Sequence, residues 1–579
     1  MTTTTTTPST VDLTKLRNKI QGGILEESTL PPMPCVRVKR EALLETLEFL
    51  RNDPEYRMHQ LKEITVVDGL YLRESERFEL VYLLHNLDTQ KRVAVKCRVE
   101  EDDAHVPSIN HLWRAANWGE REAFDQYGLK FDNHPNLKRI LNHHEFVGHP
   151  LRKDYNIFRG HWCSEAETLL DELELRRKMF PERIADADHD PGETMILNIG
   201  PSHPASHGTL RNLVELDGET VLYCVQEIGY LHRGFEKSAE THEYNQVVPY
   251  TDRLNYCSAI SNNVGYVKAV EELCGIEIPP RNQAIRVIMC ELSRIMDHLV
   301  CNAANIVDLG ALTNFWYLFN LREKIYNVIE GVTGARLTNS YARVGSLWAD
   351  ITPDFIEQVR GLLAEIPQHV DDTMKLVARN RIFIDRTVGI GKISPDDAIA
   401  YGYTGLCLRA TGYEHDLRKA QPYYGYDQYD FEIPVGHQGD TYDRIMCRFE
   451  EIKQSARIVE QALDSLPDGP YRADHPMAYL PDKQTRTYAN IEGLVNHFKI
   501  VMHGIQPPKG EVYSWTETPN GELGFYIVSD GGMKPYKCKV RPPCFYLYSS
   551  FPDLVEGQMV ADVIAVLGSL NIVAGELDR

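Results

Sequence analysis

The spacing of apolar residues changes partway along this chain, and that change limits the folds open to it. Val93, Val95, Cys97 and Val99 alternate with Ala94, Lys96, Arg98 and Glu100. A period of two predicts a half-buried strand. Phe78–Leu87 is a second such run, joined to the first through Asp88-Thr-Gln, so a hairpin is expected. Far downstream, Ile285, Ile288, Leu292, Ile295 and Leu299 step by three and four, as do Ile445, Phe449, Ile452, Ala456, Val459 and Leu463. Those are core-facing helical stripes. Between the two regimes lies a polar stretch, Ala185-Asp-Ala-Asp-His-Asp-Pro-Gly-Glu193, with the composition of a linker. A chain of 579 residues is also too long for one core.

The expected fold class is therefore α+β. An N-terminal α/β domain over 31–184 is joined by a linker at 185–193 to a mainly α-helical domain over 194–579 with small β regions. That second domain opens on short strands, Thr194–Ile199 and Thr220–Ile228. Thr352-Pro353 starts a helix, with Thr as N-cap and Pro in the first position. Asn520-Gly521 and Asp530-Gly531 mark two tight turns between β-rich runs. Residues 1–30, which begin Met1-Thr-Thr-Thr-Thr-Thr-Thr-Pro, read as a disordered tail. The first ten residues contain no basic residue and no apolar run, so they are neither a secretory signal nor an Arg-rich transit peptide.

Charge narrows the partners. There are 62 basic and 83 acidic residues, a net of −21. Phosphates would be repelled, which excludes nucleic acid as a partner. Anionic lipid is disfavoured for the same reason. No stretch approaches the ~20 uncharged apolar residues of a spanning helix. Membrane attachment should therefore run through partner proteins. The twelve cysteines are scattered, several within apolar runs such as Val287-Ile-Met-Cys290, as buried reduced thiols are.

Three tempting motifs fail on spacing. Gly389-Ile-Gly391-Lys-Ile-Ser lacks both the third glycine of a dinucleotide fingerprint and the spacing of a phosphate loop. NADH should bind elsewhere. In His144-Glu145-Phe-Val-Gly-His149 the histidines are one residue too far apart for a common helical face, and Gly148 and Pro150 oppose a helix. His203 and His207 are four apart, but Pro204, Gly200 and Gly208 favour a turn and no third ligand is evident. No metal site is expected in this chain.

Longer motifs carry a resemblance. Gly200-Pro-Ser-His203-Pro-Ala-Ser-His207-Gly and Gly229-Tyr-Leu-His-Arg233-Gly-Phe-Glu-Lys are similar to segments of the nickel–iron hydrogenase large subunit. Such a centre needs two Cys-x-x-Cys pairs, because soft metals take soft ligands. No two cysteines here are three apart. A hydrogenase-like scaffold without its thiolates resembles the quinone-site subunit of respiratory complex I. Tyr250-Thr-Asp-Arg-Leu-Asn-Tyr256, Asp308-Leu-Gly-Ala-Leu-Thr, Asp416-Leu-Arg-Lys-Ala-Gln-Pro, Gly439-Asp-Thr-Tyr-Asp-Arg and the final Leu577-Asp-Arg579 extend the likeness. Upstream, Asn117-Trp-Gly-Glu-Arg-Glu-Ala-Phe-Asp125-Gln-Tyr-Gly, His134-Pro-Asn-Leu-Lys-Arg-Ile-Leu and Gly148-His-Pro-Leu-Arg-Lys-Asp resemble its small hydrophilic neighbour. The whole is identified as a member of the fused C/D subunits of bacterial NADH:quinone oxidoreductase.

The resemblance implies a role and a site. Electrons from NADH pass through FMN and iron–sulfur clusters in other subunits to a terminal 4Fe–4S cluster in an adjacent subunit. This chain supplies no cluster ligands and helps form the chamber in which quinone, the substrate, is reduced. Two protons must be delivered there, and a phenol and an imidazole are suitable donors. Tyr256 corresponds to the quinone-binding tyrosine, His207 to the histidine and Asp308 to its carboxylate partner. Arg233 maps beside the terminal cluster, where a cation raises the cluster potential, and His203 is placed with it among the cofactor-facing residues. Implied partners are the terminal-cluster subunit, a ferredoxin-like subunit and the membrane subunit at the quinone entry. The implied location is the cytoplasmic side of the bacterial inner membrane, peripheral to it. The alternatives are the same subunit in a quinone reductase fed by another donor, a membrane-bound hydrogenase, which the missing Cys-x-x-Cys pairs oppose, and a non-catalytic scaffold, which retention of Tyr256, His207 and Asp308 together opposes.

Two positions depart from the pattern. Thr338, in Ala335-Arg-Leu-Thr338-Asn-Ser, stands where the family has a histidine near the cluster. Asn263 stands where it has a glutamate. Threonine cannot take up a proton near neutral pH.

Overall fold

The structure is a computed structural model that describes residues 11–73, 76–164, 168–185, 194–206, 208–475, 477–478, 487 and 490–579. Five strands form the first sheet, in the order Ile24–Leu30, Met33–Val38, Lys91–Val99, Phe78–Asn86, Gln60–Asp68. Neighbours run antiparallel, except that Met33–Val38 and Lys91–Val99 are parallel. The expected hairpin is present, with Phe78 opposite Val99, Tyr82 opposite Val95 and Asn86 opposite Lys91.

That sheet departs from the half-buried expectation. Val93, Val95 and Cys97 do face a core, packed with Leu43, Leu47 and Leu50 of the helix Arg40–Asn52. Ala94 and Lys96 are buried too. Ala94 clusters with Tyr513, Trp515 and Tyr526 of the second part, and Lys96 pairs with Glu511. Arg92 makes a two-pronged bond to Glu522 at 2.7 and 2.9 Å and lies 3.9 Å over the Trp515 ring. Polar residues on an alternating strand can face protein as well as water, provided each finds a partner.

Part of the stretch 1–30, expected to be a disordered tail, is ordered. Thr14–Lys19 is a helix with Leu16 fully buried, and Ile24–Leu30 is a strand. Pairing with Met33–Val38 satisfies the backbone of the latter, which composition alone does not reveal. Residues 1–10 lie outside the described residues, as does the linker 185–193 apart from Ala185, which ends the helix Glu182–Ala185.

The second part begins with a three-stranded antiparallel sheet, Met195–Ile199, Arg211–Asp217 and Thr220–Glu227. The middle strand is additional to the two expected. Helices follow. Ile285, Ile288, Leu292, Ile295 and Leu299 are fully buried on the helix Pro280–Asp308, which packs on Thr441–Asp464 and Leu312–Thr333. Thr352 caps Pro353–Val377 as expected, its Oγ1 accepting from Phe355 N–H at 3.2 Å. Asn520-Gly521 does turn Gly510–Thr518 into Gly521–Ser529. Asp530-Gly531 instead opens a longer connection to Lys537–Arg541, with Asp530 Oδ1 accepting from Gly532 N–H.

The two sequence parts share one core. A single apolar cluster runs from Val36 and Leu61 to Phe545 and Leu577. Lys62 pairs with Glu522 at 2.8 Å, and Glu122 receives both Lys539 and the C-terminal Arg579. Charges buried this way are strongly destabilising if one partner is removed, by about 3–5 kcal/mol. No described helix is long and apolar enough to cross a membrane.

Candidate functional site

Tyr256 begins a single 3-10 turn, Tyr256–Ser258, between the helices Tyr244–Thr251 and Ala259–Cys274. Asn255 caps it by accepting from Cys257 N–H at 3.1 Å. The same Asn255 donates to Asp297 Oδ1 at 2.9 Å, and Asn571 donates to Asp297 Oδ2 at 2.8 Å. Asn571 also donates to Asn520, which in turn donates to Glu576 at 3.4 Å. Gly575 lies so close beneath that a Cβ there would sit 2.4 Å from the Arg253 carbonyl oxygen. The turn is thus fixed from below by polar groups, Asn255 and Asp297 buried and Asn571 half-buried. Above it, Tyr256 itself is 38 % exposed.

Burial pushes the Tyr256 phenol up to about 12, with Cys257 and Asp297 acting in the same direction. It holds its proton at neutral pH and can donate a hydrogen bond. Burial also raises Asp297, against the opposing effect of His298. It raises Glu576 to about 7, partly offset by the Cys544 N–H bond. A buried carboxyl poised near neutrality is able to hold or release a proton.

Asp308 is the last residue of Pro280–Asp308 and is exposed. It is eleven residues beyond Asp297, close to three whole turns, so the two share a helix face about 16 Å apart. His207 lies outside the described residues, so the expected pairing with Asp308 does too. His203 is half-buried beside the short 3-10 turn Pro204–Ser206, its Nδ1 accepting from Ala205 N–H at 3.2 Å. Gly200 is required nearby: its φ is +94° and a Cβ would lie 2.0 Å from the Leu210 carbonyl oxygen.

Arg233 is exposed, and its Nη2 donates to the Tyr250 carbonyl at 3.3 Å. The chain end packs around this loop. Asp578 accepts from Gly229 N–H and Leu231 N–H at 3.0 and 2.8 Å. Arg233 N–H reaches the Arg579 carbonyl at 3.3 Å.

The two departures are neighbours in space. Asn263 donates to Asp252 at 2.7 Å, and Asp252 also accepts from Ser340 N–H at 3.1 Å and from its hydroxyl. Thr338 stands two residues before Ser340, at φ +41°.

Sequence reasoning missed a buried charge cluster. Arg294, Arg409 and Arg418 interleave with Glu291, Asp416, Glu451 and Glu517. His298 joins it to the Tyr256 support, with Nε2 3.1 Å from Glu451 and Nδ1 3.8 Å from Asp297. Burial pushes Glu451 up, but Arg409, His298 and Arg294 outweigh it and hold the carboxylate well below the usual range. A signal was available: Glu291, Arg294 and Glu451 each adjoin an apolar stripe residue. His149 has its Nδ1 2.9 Å from the Asp125 carbonyl and its ring against Phe124.

Comparison with known proteins gives consistent matches. Residues 308–579 match the family of the respiratory-chain NADH dehydrogenase 49 kDa subunit. Residues 36–159 match that of the 30 kDa subunit. The C/D subunit of the Bdellovibrio bacteriovorus NADH-quinone oxidoreductase is 50% identical over 544 residues, covering 94% of this chain and 95% of that protein. Its counterpart of the same name from Psychrobacter sp. is 40% identical over 581 residues, 98% of this chain and 96% of that protein. The Pseudomonas aeruginosa counterpart is 39% identical over 563 residues, 96% and 94%.

Proposed function

The chain belongs to the fused C/D subunits of NADH-quinone oxidoreductase, and we propose that it forms part of the chamber in which quinone is reduced, beside a 4Fe–4S cluster held by an adjacent subunit. The observation that carries this reading is Tyr256. A phenol that keeps its proton is presented, partly exposed, on a turn held by the buried Asn255 and Asp297. A rigid donor aimed at a developing oxyanion loses little entropy on binding and is worth most in a dry site. Tyr256 donates to one quinone oxygen, and His207, oriented by Asp308, delivers a proton to the headgroup. Arg233 and His203 face the cluster side. NADH and FMN are bound by other subunits, and separate membrane subunits carry out proton pumping.

The chain is peripheral and sits on the cytoplasmic side of the inner membrane, held there by the terminal-cluster, ferredoxin-like and quinone-entry membrane subunits. Its helix Ile491–His503 supports such docking, because Ile491, Phe498 and Val501 are each more than half exposed on it. Large exposed apolar side chains in one element mark a protein interface. The hydrogenase-like character of the second domain belongs to the same reading: the scaffold is retained and its metal-binding thiolates are absent.

Tyr256→Phe tests the assignment. Quinone reduction by the assembled complex should fall about tenfold or more, the loss expected for one hydrogen bond and its proton. NADH oxidation by an artificial acceptor should be unchanged, since the upstream cofactors are untouched. Wild-type quinone activity in the assembled variant would show that this phenol is not the donor.

A further inference from the structure

A second group of chemistry-bearing side chains lies in the first part of the chain, away from Tyr256. His143, Glu145 and Cys163 each offer a ligand atom, and the three atoms lie within 4.8 Å of one another. The residues come from two loops. The first is rigid before it reaches His143: Asp125 accepts the N–H groups of Ile140, Leu141 and Asn142 at 2.9–3.2 Å. The second has no helix or strand among its described residues up to Ser164 and leaves Trp162 85 % exposed. It is held to the first by Ser164, whose N–H and hydroxyl both donate to Glu145 at 2.6 and 2.5 Å.

Two details point to a ligand. The Nδ1 atom of His143 is buried and has no hydrogen-bond partner. An unpaired buried ring nitrogen is costly, and ligation through it would account for the position. The nearby His161 is otherwise engaged: its Nε2 is 2.6 Å from the Tyr155 hydroxyl and its ring stacks on Phe146 at 4.0 Å. A carboxylate beside a thiol has no value for a thiolate nucleophile, since like charges repel. Here the Cys163 thiol is hydrogen-bonded to the Glu145 carboxylate, and a cation between them would take the place of that shared proton. A carboxylate oxygen has two lone pairs, so it can accept from Ser164 and ligate a metal at once.

We propose that His143, Glu145 and Cys163 bind one zinc ion, with water in the fourth position. Imidazole, carboxylate and thiolate together suit this borderline ion, and a single thiolate is too few for an iron–sulfur cluster. Tetrahedral ligation at about 2.0–2.3 Å needs donor separations of about 3.5 Å, so the two loops close by about 1 Å. Binding converts the Cys163 thiol to thiolate and releases its proton to solvent. The ion staples the exposed loop to the segment whose Leu141 carbonyl sits against Gly229, where a Cβ would come within 2.3 Å.

Zinc content of the purified complex tests this. After incubation with zinc and removal of excess, wild type should hold about one more zinc per complex than either Cys163→Ser or His143→Ala. Cys163 is exposed, so the serine variant should assemble and reduce quinone normally. The isolated full-length chain holds no cluster, which leaves the near-ultraviolet clear for cobalt. Cobalt(II)-loaded wild-type chain should show a thiolate-to-cobalt band that Cys163→Ser lacks. Equal zinc in wild type and both variants would overturn the proposal, as would a cobalt spectrum unaffected by Cys163→Ser.

Discussion

Asn263 donates its side-chain N–H to Asp252 at 2.7 Å, which makes Asp252 the acceptor of the pair. Burial already raises the Asp252 carboxyl, opposed by its bonds from Ser340 and Asn263. Asn263→Glu would place two acids at hydrogen-bond distance, so that they share one proton. The folded-state pKa of the introduced acid then exceeds its unfolded value of about 4.3. Its contribution is intact below that pH and is lost as pH rises. The variant should match wild type near pH 4 and be less stable by about 1–3 kcal/mol at pH 8. Thermal unfolding of the purified chain across that range measures it, and a pH-independent difference would refute the shared proton.

Glu576 gives the chain a pH-dependent stability of its own. Its carboxyl titrates near 7 in the folded state, against about 4.3 when unfolded. A raised value means the stabilising contribution is present in acid and fades as pH climbs through 7. Glu576→Gln removes this dependence. Between pH 5 and pH 8, wild type should lose about 2–4 kcal/mol more than the variant. Parallel pH curves for the two proteins would place the titration elsewhere.

Asp308 should act on the pH profile of the reaction. If its carboxylate favours the charged form of His207, Asp308→Asn lowers the imidazole pKa by about one unit or more. The variant then needs a lower pH to keep its proton donor charged. The alkaline limb of quinone reduction should move down by that amount, while oxidation of NADH by an artificial acceptor keeps its profile. An unmoved limb would mean the two residues are uncoupled.

Much of the fold was legible because periodicity reports burial directly. The stripe from Ile285 to Leu299 and the hairpin across Asp88-Thr-Gln needed nothing else. What stayed hidden depended on long-range partners. Lys96 reads as a solvent-facing strand residue until Glu511, more than 400 positions away, is brought to it. Asp297 reads as one more polar residue beside a helical stripe, yet it fixes the Tyr256 turn from a site 42 positions off. The Tyr256 motif was found by resemblance, and its support was found only in three dimensions. The same holds for Cys163, a lone cysteine in the sequence that the fold carries to His143 and Glu145.

Thr338 offers a test that joins backbone and redox chemistry. A β-branched residue at φ +41° is an outlier, costing about 1–3 kcal/mol, whereas histidine is among the residues that tolerate that region. Thr338→His should therefore fold without penalty, and Thr338→Gly should stabilise the chain. If this loop borders the terminal cluster, Thr338 itself offers no titrating group there, and the cluster potential should be nearly flat between about pH 6 and 8. The histidine variant should steepen it toward about 59 mV per pH unit, the slope for one proton with one electron. Redox titration of the assembled complex followed by electron paramagnetic resonance reads both. A steep slope in wild type would mean that another group takes up the proton. A flat slope in a well-assembled histidine variant would place residue 338 away from the cluster.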